Sequence, residues 1–309
     1  MAKVLVTGGA GFIGSYVVRG LVAGGHNVVV LDDLSSGKRE AIPHGNRMEF
    51  IKGDVADMDT VVKAMHGCDH VVHLAAMVSI PHSMEHPDAA YRVNVQGMYT
   101  VLEAARRMKL AGRLLYASSA AVYGNLSGGA VREDDAATVA LANPYAASKR
   151  AAEVLARMYK DVYGVKSLGL RIFNAYGAGQ DENGGYSGLL SKVIDSVQNG
   201  TLLTIYGDGS QTRDFVAVQD VAAIFRALLQ APPTVELPWV MNVGSGTAVS
   251  LLDTIRQVVA IKRVNPRVEY RPARKSDVKL SCADLSLLQQ IFPGWKPTDL
   301  ATGLRQWLA

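Results

Sequence analysis

The sequence lacks the features of a membrane-spanning or disulfide-bonded protein. Its 309 residues include only two cysteines, Cys68 and Cys282, which are far apart in sequence and show no metal-ligand spacing. No apolar run reaches the roughly 20 residues that a transmembrane helix needs. The first residues lead directly into a strand pattern and show no signal-peptide pattern. We therefore expect reduced thiols in a cytoplasmic protein.

Charge is also scarce. Charged residues make up 19% of the chain, and the formal net charge of +4 is too small to indicate a nucleic-acid partner. The positive excess is concentrated in residues 262–279, which contain seven cations and two acids. This basic stretch is either a solvated surface or an anion site for phosphates. The hydrophobic content of 49% is typical of a globular protein with one large or two modest domains.

A glycine-rich turn lies near the start of the chain. It follows a predicted strand over 3–7 and leads into a helix that ends near residue 23, after which a strand over 27–31 ends in Asp32. This order of elements predicts a dinucleotide-binding unit, in which the helix N-terminus offers N–H groups to a pyrophosphate. Asp32 can accept hydrogen bonds from the adenosine ribose, and its charge repels a 2′-phosphate. The pattern therefore favours NAD over NADP.

Strands and helices then alternate along the chain. Further strands are predicted over 48–52, 69–74, 113–117 and 165–171, with long helices over 87–108 and 145–163. This alternation predicts an α/β fold with a Rossmann-type doubly wound parallel sheet, whose ligands bind beyond the carboxyl ends of the strands. Asp54 lies at such an end, where it could accept from the adenine amino group or merely cap the next helix.

The alternation weakens after residue 173. We expect an NAD-binding Rossmann domain over 1–173, to which 212–244 return. A smaller, mostly C-terminal substrate-binding domain is expected over 174–211 and 245–309.

Tyr145 and Lys149 are four residues apart in an alanine-rich segment. On a helix they would lie one turn apart on the same face. An ammonium beside a phenol favours the phenolate and lowers its pKa, so the pair could exchange a proton with a substrate hydroxyl. The alternative is two ordinary residues of an amphipathic helix.

Several ordered motifs carry a family resemblance over essentially the whole chain. They are Thr7-Gly8-Gly9-Ala10-Gly11-Phe12-Ile13-Gly14, Ser118-Ser119-x-x-x-Tyr123-Gly124, Tyr145-x-x-x-Lys149, Arg171-x-Phe173-Asn174, Arg213-Asp214-Phe215 and Arg274-x-x-Asp277. The chain resembles the extended short-chain dehydrogenase/reductase superfamily. Within it, the chain is similar to the UDP-glucose/UDP-N-acetylglucosamine 4-epimerases, which use NAD.

The resemblance implies an enzyme that inverts C4 of a UDP-sugar through a transient 4-keto intermediate. Tyr145 would be the base for the 4-hydroxyl, Lys149 would lower its pKa and bind the nicotinamide ribose, and Ser119 would relay the proton. NAD would be regenerated in each turnover. The implied NAD contacts are Gly8, Gly11, Phe12, Ile13, Gly14, Asp32, Asp33, Leu34, Ser35, Ser36, Gly37, Asp54, Val55, Leu74, Ala75, Ala76, Asn94, Ser118, Tyr145, Lys149 and Phe173.

The resemblance also implies a set of substrate contacts. Asn174 would contact the diphosphate, Arg213 and Arg274 the phosphates, and Asp277 the uridine ribose. Arg213 could instead form a structural pair with Asp214 or another neighbour. The full implied set is Ser79, Ser119, Tyr145, Asn174, Leu189, Tyr206, Arg213, Arg274, Asp277 and Ser281.

Two positions bear on the sugar itself. Ser281 would leave room for an N-acetyl group at C2, which suggests UDP-GlcNAc, UDP-GalNAc or their uronic-acid derivatives, or it could merely pack. The loop over 79–83 resembles that of epimerases that prefer N-acetylated sugars. There His82 could contact a polar group or a 6-carboxylate, or simply be solvated.

The alternative functions are a dehydratase or decarboxylase of the same superfamily and a non-catalytic NAD-sensing module. Dehydratases need an acidic pair where this chain has Ala120 and Ala121, and decarboxylases need a glutamate at the second position. Sensing modules usually lack the Tyr/Lys pair. We also expect a homodimer formed by helices 87–108 and 145–163 as a four-helix bundle, and no metal, nucleic-acid or membrane partner.

Overall fold

A computed structural model describes residues 1–126, 129–180, 188–232, 234–273 and 278–308. Its internal contacts divide the chain into two compact units. The first comprises Met1–Ser119, Asn143–Arg171 and Val221–Met241, and the second comprises Ala120–Ala142, Ile172–Asp220 and Asn242–Ala309. The division differs from the predicted domains in residues 120–142, 172–173, 212–220 and 242–244, which belong to the second unit.

The first part of the chain alternates strands and helices as the sequence predicted. The elements are β1 (Lys3–Thr7), α1 (Phe12–Ala23), β2 (Asn27–Asp32), β3 (Met48–Lys52), α2 (Met58–Met65), β4 (His70–His73), α3 (Ile80–Glu85), α4 (Pro87–Ala90), α5 (Gly97–Arg107), β5 (Leu114–Ser119) and α6 (Pro144–Tyr163). A π-helical turn over Tyr91–Gln96 joins α4 to α5. The predicted helix over 87–108 therefore contains one wider turn, and the predicted loop over 79–83 lies largely within α3.

The remainder of the chain is less regular. Its elements are β6 (Ser167–Ile172), β7 (Asn174–Tyr176), α7 (Leu189–Asn199), β8 (Leu202–Tyr206), β9 (Thr212–Ala217), α8 (Val218–Gln230), β10 (Val240–Val243), β11 (Ala248–Ser250), α9 (Leu251–Lys262), β12 (Arg267–Arg271), α10 (Ser286–Ile291) and α11 (Leu300–Leu308). The sequence did not predict β12, which lies in the basic stretch.

A seven-stranded sheet forms the centre of the α/β fold, in the order β10-β6-β5-β4-β1-β2-β3. β1 pairs in parallel with β2 and with β4, and Thr7 is level with Leu31 on one side and His73 on the other. The strands are almost continuously apolar because helices cover both faces of such a sheet. The predicted Rossmann-type fold is confirmed, and its parallel register brings the ends of β1, β2 and β4 side by side.

The second unit has its own small sheets and core. One sheet has the order β11-β9-β7, and the other pairs β12 with β8. Buried apolar residues of α7, α9 and α11 form a cluster against these strands, with Tyr176 and Phe215 in edge-to-face contact. Asp214 is buried on β9 and accepts hydrogen bonds from the N–H groups of Ser245, Gly246 and Ala283. This carboxylate ties three segments of the unit together.

The helices give no sign of a bilayer segment. In the described ranges, none combines the length and the apolar composition that crossing a membrane requires.

Candidate active site

The glycine-rich turn between β1 and α1 is packed too closely for side chains. A Cβ on Gly14 would lie 2.0 Å from the carbonyl oxygen of Gly8, and a Cβ on Gly8 would lie 2.5 Å from the amide nitrogen of Ala75. Gly8 also has a φ of 67°, which glycine adopts without strain. Gly11 is the N-cap of α1 and has no side chain to cap it, and the first turn contains no acidic residue. The N–H groups at this helix end are therefore suited to a pyrophosphate, which fits the predicted dinucleotide.

Asp32 holds this turn against the end of β2. Its carboxylate oxygens accept one hydrogen bond each, from the N–H groups of Ala10 and Leu34, both at 2.9 Å. Burial raises the pKa of Asp32, while these two backbone hydrogen bonds oppose the rise. Leu34 has a φ of 63°, a conformation uncommon outside glycine. Asp32 thus organises the loop and keeps acceptor capacity for a ribose.

The segment after Asp32 is held by its own side chains. Asp33 accepts hydrogen bonds from both the N–H and the hydroxyl of Ser35, while Ser36 is exposed. A Cβ on Gly37 would lie 2.7 Å from the carbonyl carbon of Ala10. The segment over 33–37, which is predicted to contact NAD, therefore packs closely against the glycine-rich turn.

Asp54 lies beyond the end of β3, where it accepts a hydrogen bond from the Ala56 N–H at 2.8 Å and forms an ion pair with Arg92. The N-cap of α2 is Asp57, whose side chain accepts from the Thr60 N–H. The alternative that Asp54 caps this helix is therefore wrong. Its contact with adenine stays a prediction.

The segment after β4 is attached to β1 through Thr7. The Thr7 hydroxyl is 2.7 Å from Nδ1 of His73 and accepts a hydrogen bond from the Ala75 N–H at 3.3 Å. The Leu74 N–H donates to the Thr7 carbonyl at 3.0 Å. These contacts place Leu74 and Ala75 beside the glycine-rich turn. That these two residues and Ala76 contact NAD stays a prediction.

Asn94 lies in the π-helical turn and is almost fully buried. Its amide nitrogen donates to the Met77 carbonyl and to the Ser148 hydroxyl, at 3.0 and 2.9 Å, and its carbonyl oxygen accepts from the Met77 N–H at 2.8 Å. Both amide N–H groups are thus committed to the protein. Asn94 fixes the segment after β4 against α6, and a contact with NAD is left to its remaining carbonyl lone pair.

Ser119 and Tyr145 meet at the end of β5. Their side chains are hydrogen-bonded, and Tyr145 is in the first turn of α6. That helix begins at Pro144 because Asn143 caps it, accepting a hydrogen bond from the Ala146 N–H at 2.8 Å. The cap and the strand end together bring the hydroxyl and phenol into contact.

Lys149 lies one turn further along α6 and is buried. Its ammonium donates to the Ala117 carbonyl at 3.0 Å and is 6.0 Å from the centre of the Tyr145 ring. Burial lowers the pKa of Lys149 to about 8, although the charge of Glu153 opposes this change. The structure therefore assembles the predicted Ser/Tyr/Lys set.

The expectation that Lys149 lowers the pKa of Tyr145 is wrong for the protein alone. The pKa of Tyr145 is raised, not lowered, because burial outweighs the hydrogen bond with Ser119. The ammonium of Lys149 is directed to a backbone carbonyl. In the protein alone, Ser119 is the group that favours the phenolate.

Glu153 was missed as a site residue, although it follows Lys149 by four positions on the same helix face. Its carboxylate is completely buried and accepts hydrogen bonds from the Ser118 hydroxyl at 2.6 Å and from Arg171. Ser118, a predicted NAD contact, thus uses its hydroxyl to donate a hydrogen bond to Glu153. The i, i+4, i+8 spacing of Tyr145, Lys149 and Glu153 could have indicated that Glu153 lies on the same helix face as the other two residues.

The predicted substrate contacts divide between the two units. Ser79, in the first unit, is buried and caps α3 by accepting a hydrogen bond from the His82 N–H at 3.1 Å. The described contacts of the second unit are Asn174 in β7, Leu189 at the start of α7, Tyr206 at the end of β8, Arg213 in β9 and Ser281; all are half-buried. Arg274 and Asp277 lie outside the described residues.

Arg213 contacts backbone carbonyls. Its Nη1 donates to Thr212 at 2.8 Å and to Val278 at 2.6 Å. Asp214, the alternative partner, has its carboxylate engaged by the segments at Ser245 and Ala283. The guanidinium is therefore fixed by neighbouring backbone, and its phosphate contact stays a prediction.

Phe173 and Val55 are placed by packing. Phe173 is buried, donates its N–H to the Val243 carbonyl at 2.9 Å and packs its ring against Tyr123. Val55 is buried in the core of the first unit, against Gly97. The side chains of Phe12 and Ile13, at the start of α1, are half-buried.

Comparison with known proteins gives matches over nearly the whole chain. The model of the NAD dependent epimerase/dehydratase family matches residues 4–244. A UDP-glucose 4-epimerase of Mycolicibacterium smegmatis is 34% identical over 307 residues, covering 98% of this chain and 96% of its own.

Two solved structures match the fold over almost the whole of this chain. The UDP-N-acetylglucosamine 4-epimerase of Methanobrevibacter ruminantium, in complex with UDP-N-acetylmuramic acid, has a TM-score of 0.91 at 32% identity, covering 99% of this chain and 97% of its own. The UDP-glucose 4-epimerase of Thermus thermophilus, in complex with NAD, has a TM-score of 0.88 at 35% identity, with the same coverage.

Proposed function

The chain belongs to the NAD dependent epimerase/dehydratase family, and we propose that it inverts C4 of UDP-hexoses, including N-acetylated hexosamines. It is an NAD-dependent epimerase. The observation that carries the proposal is the hydrogen bond between Ser119 and Tyr145 at the end of β5, followed in sequence by Ala120 and Ala121. A proton acceptor is present, and the two positions that hold acids in dehydratases are alanine.

The residues divide the proton chemistry between them. Tyr145 takes the proton of the sugar 4-hydroxyl, and Ser119 holds the reacting oxygen and relays that proton. Lys149 supplies positive charge one helical turn away, which favours the phenolate once the sugar occupies the site. A positioned acid–base group of this kind contributes about 10²–10⁴-fold to the rate.

The first unit supplies the residues proposed to hold NAD, except for Phe173, which belongs to the second. The uncapped N-terminus of α1 would hold the pyrophosphate, Asp32 would accept a hydrogen bond from the adenosine ribose, and Lys149 would bind the nicotinamide ribose. Bound NAD would supply reversible hydride transfer at the sugar C4, and inversion requires the sugar to present its opposite face before the hydride returns. The chain's own part is to orient the sugar hydroxyl and to hold its proton at Tyr145.

The second unit supplies the residues proposed to recognise the nucleotide sugar. Asn174 and Arg213 are proposed diphosphate contacts, and Ser281 is a small residue where a bulky one would exclude a 2-acetamido group. The likeness to a UDP-N-acetylglucosamine 4-epimerase supports acceptance of N-acetylated substrates. Arg274 and Asp277 complete the proposed set.

Incubation of the purified protein with UDP-glucose, UDP-N-acetylglucosamine and their uronates tests the proposal. Proton NMR of the anomeric signals should show UDP-glucose and UDP-N-acetylglucosamine converting to their C4 epimers, without accumulation of NADH. A product of lower mass would instead identify a dehydratase or decarboxylase. Binding of NAD without turnover of any sugar would identify a sensing module.

We also propose that the protein is a homodimer that pairs α5 and α6 of two copies. These helices carry exposed large apolar side chains, among them Tyr99, Val154, Met158 and Val162, and such a face favours burial against a second copy. Sedimentation should give twice the chain mass of 33.0 kDa, and Val154→Glu should shift the equilibrium to monomer. A monomeric wild-type protein would contradict the proposal.

A further inference from the structure

Three side chains with metal-binding groups lie together on the helix that follows β4. His82 and Glu85 belong to α3, and His86 is the residue at its C-terminal end. One ligand atom from each lies within 4.8 Å of those of the other two. Glu85 and His86 are exposed and His82 is half-buried, so an ion can reach the cluster from solvent.

We propose that His82, Glu85 and His86 bind a divalent transition-metal ion such as Zn²⁺, with water completing its coordination. Two imidazoles and one carboxylate are a donor set that suits such ions and leaves further positions open. None of the three proposed ligands is among the residues assigned to hydride and proton transfer. The sequence predicted no metal site, because this segment was interpreted as a loop and the three positions were not placed on one helix face.

The backbone already sets the spacing between the two histidines. The His86 N–H donates to the His82 carbonyl at 2.8 Å, so the residues are separated by one closed helical turn. Their ring centres are 4.6 Å apart, and the ring planes are inclined by 50°. The rings are not stacked flat, and their nitrogens can turn toward one point.

The remaining adjustment is small. Ligand atoms bound to tetrahedral Zn²⁺ at about 2.1 Å are about 3.4 Å from one another. The present separations of up to 4.8 Å can shorten by rotation of the side chains, because Glu85 and His86 are exposed.

The start of α3 is anchored on the side opposite to solvent. The Ser79 side chain accepts a hydrogen bond from the His82 N–H at 3.1 Å. Ser83 is fully buried, donates to the Ile80 carbonyl at 2.7 Å and accepts from the Tyr145 N–H at 3.3 Å. The proposed ligands are thus displayed on a short helix that is fixed from beneath, which reduces the conformational entropy lost when they bind an ion.

Zn²⁺ itself, titrated into tag-free full-length protein against a chromophoric chelator, tests the site. Wild-type protein should bind one ion per chain at this site. His86→Gln and Glu85→Gln should each weaken the affinity by about tenfold or more, since loss of even an outer-shell partner costs about 10–100-fold. Both positions are exposed, and circular dichroism should show an unchanged fold.

His66→Gln is the matched control, because His66 is an exposed histidine outside the cluster. It should leave the affinity unchanged. Zn²⁺ should also raise the melting temperature of wild type and His66→Gln but not of His86→Gln. The proposal is overturned if wild type binds no ion at this stoichiometry, or if His86→Gln binds as tightly as His66→Gln.

Discussion

Arg171 donates two hydrogen bonds to Glu153, from Nε to Oε1 at 2.8 Å and from Nη2 to Oε2 at 2.9 Å, and neither side chain is exposed. Glu153 also accepts from Arg150 at 3.1 Å. Since Glu153 belongs to α6 and Arg171 to β6, the pair fixes the helix that carries Tyr145 against the central sheet. Burying two charges has a large desolvation cost. Removing one partner leaves the other charge buried and uncompensated, whereas replacing both partners removes that cost as well.

Arg171→Met should lower the free energy of unfolding by about 3–5 kcal/mol, because it leaves the Glu153 charge buried without its main partner. The double variant Arg171→Met with Glu153→Met should lose less, since no fully buried charge is left unpaired and Arg150, which also loses its partner, is partly exposed. Urea denaturation measures both. Asp161→Asn, which breaks the exposed pair with Arg157, is the control and should change stability by less than about 1 kcal/mol. A single Arg171 variant as stable as wild type would contradict the role of the pair.

His73 should make the protein sensitive to acid. Burial, with a smaller effect of the Lys149 charge, lowers the pKa of His73 to about 3, whereas in the unfolded chain it is about 6.5. Below pH 6.5 the unfolded state therefore binds the extra proton, and stability from this residue is lost as the pH falls from 6.5 toward 3. At pH 5 the loss is about 2 kcal/mol.

The variant His73→Gln isolates this effect from that of the carboxylates. It should show a shallower decline of unfolding free energy between pH 6.5 and 4 than wild type, whatever its stability at pH 7. Urea denaturation at four pH values gives the two slopes. Equal slopes would show that His73 takes up its proton in the folded protein.

Tyr145→Phe should lower kcat for C4 epimerisation by about 10²–10⁴-fold, because it removes the group that accepts the proton. Ser119→Ala should have a smaller effect on kcat, since it removes the hydrogen bond that favours the phenolate and leaves the phenol in place. NAD binding, followed by fluorescence, serves as the control and should be retained in Tyr145→Phe. Unchanged turnover in that variant would refute the proton-transfer assignment.

Gly14→Ala and Gly20→Ala should have opposite effects, although both positions lie in α1. A Cβ at Gly14 would meet the Gly8 carbonyl, whereas a Cβ at Gly20 has no atom within 4 Å. Gly20→Ala should therefore stabilise the protein by about 1 kcal/mol through helix propensity. Gly14→Ala should destabilise it and weaken NAD binding, as measured by thermal unfolding and titration. Equal behaviour of the two variants would contradict the close packing of the turn.

The fold could be predicted from local patterns because strand, helix and turn signals alternate regularly. β1 and β3 have the predicted bounds, and the roles of Tyr145 and Ser119 were implied by the family resemblance. Properties that depend on tertiary packing could not be predicted from local patterns. The sign of the Tyr145 pKa shift depends on burial, and the direction of the Lys149 ammonium depends on the Ala117 carbonyl.

Residues that position other site residues could not be predicted from the sequence either. Glu153 and Arg171 are 18 positions apart in sequence, and their pairing depends on how α6 packs on β6. The Asp54 alternative was wrong because Asp57 lies three residues further along and can cap α2 equally well. β12 was missed because its alternating charged residues do not show the apolar pattern of a core strand.

The π-helical turn over Tyr91–Gln96 constrains the length of the chain as well as its residues. A π turn contains one residue more than the α turn it replaces. Deletion of that residue could restore a regular helix, but it would rotate the preceding turns by about 100° relative to α5. Asn94 would then lose its register with Met77 and Ser148. Among related chains, we expect this segment to tolerate substitutions at its exposed positions far better than the loss of a single residue.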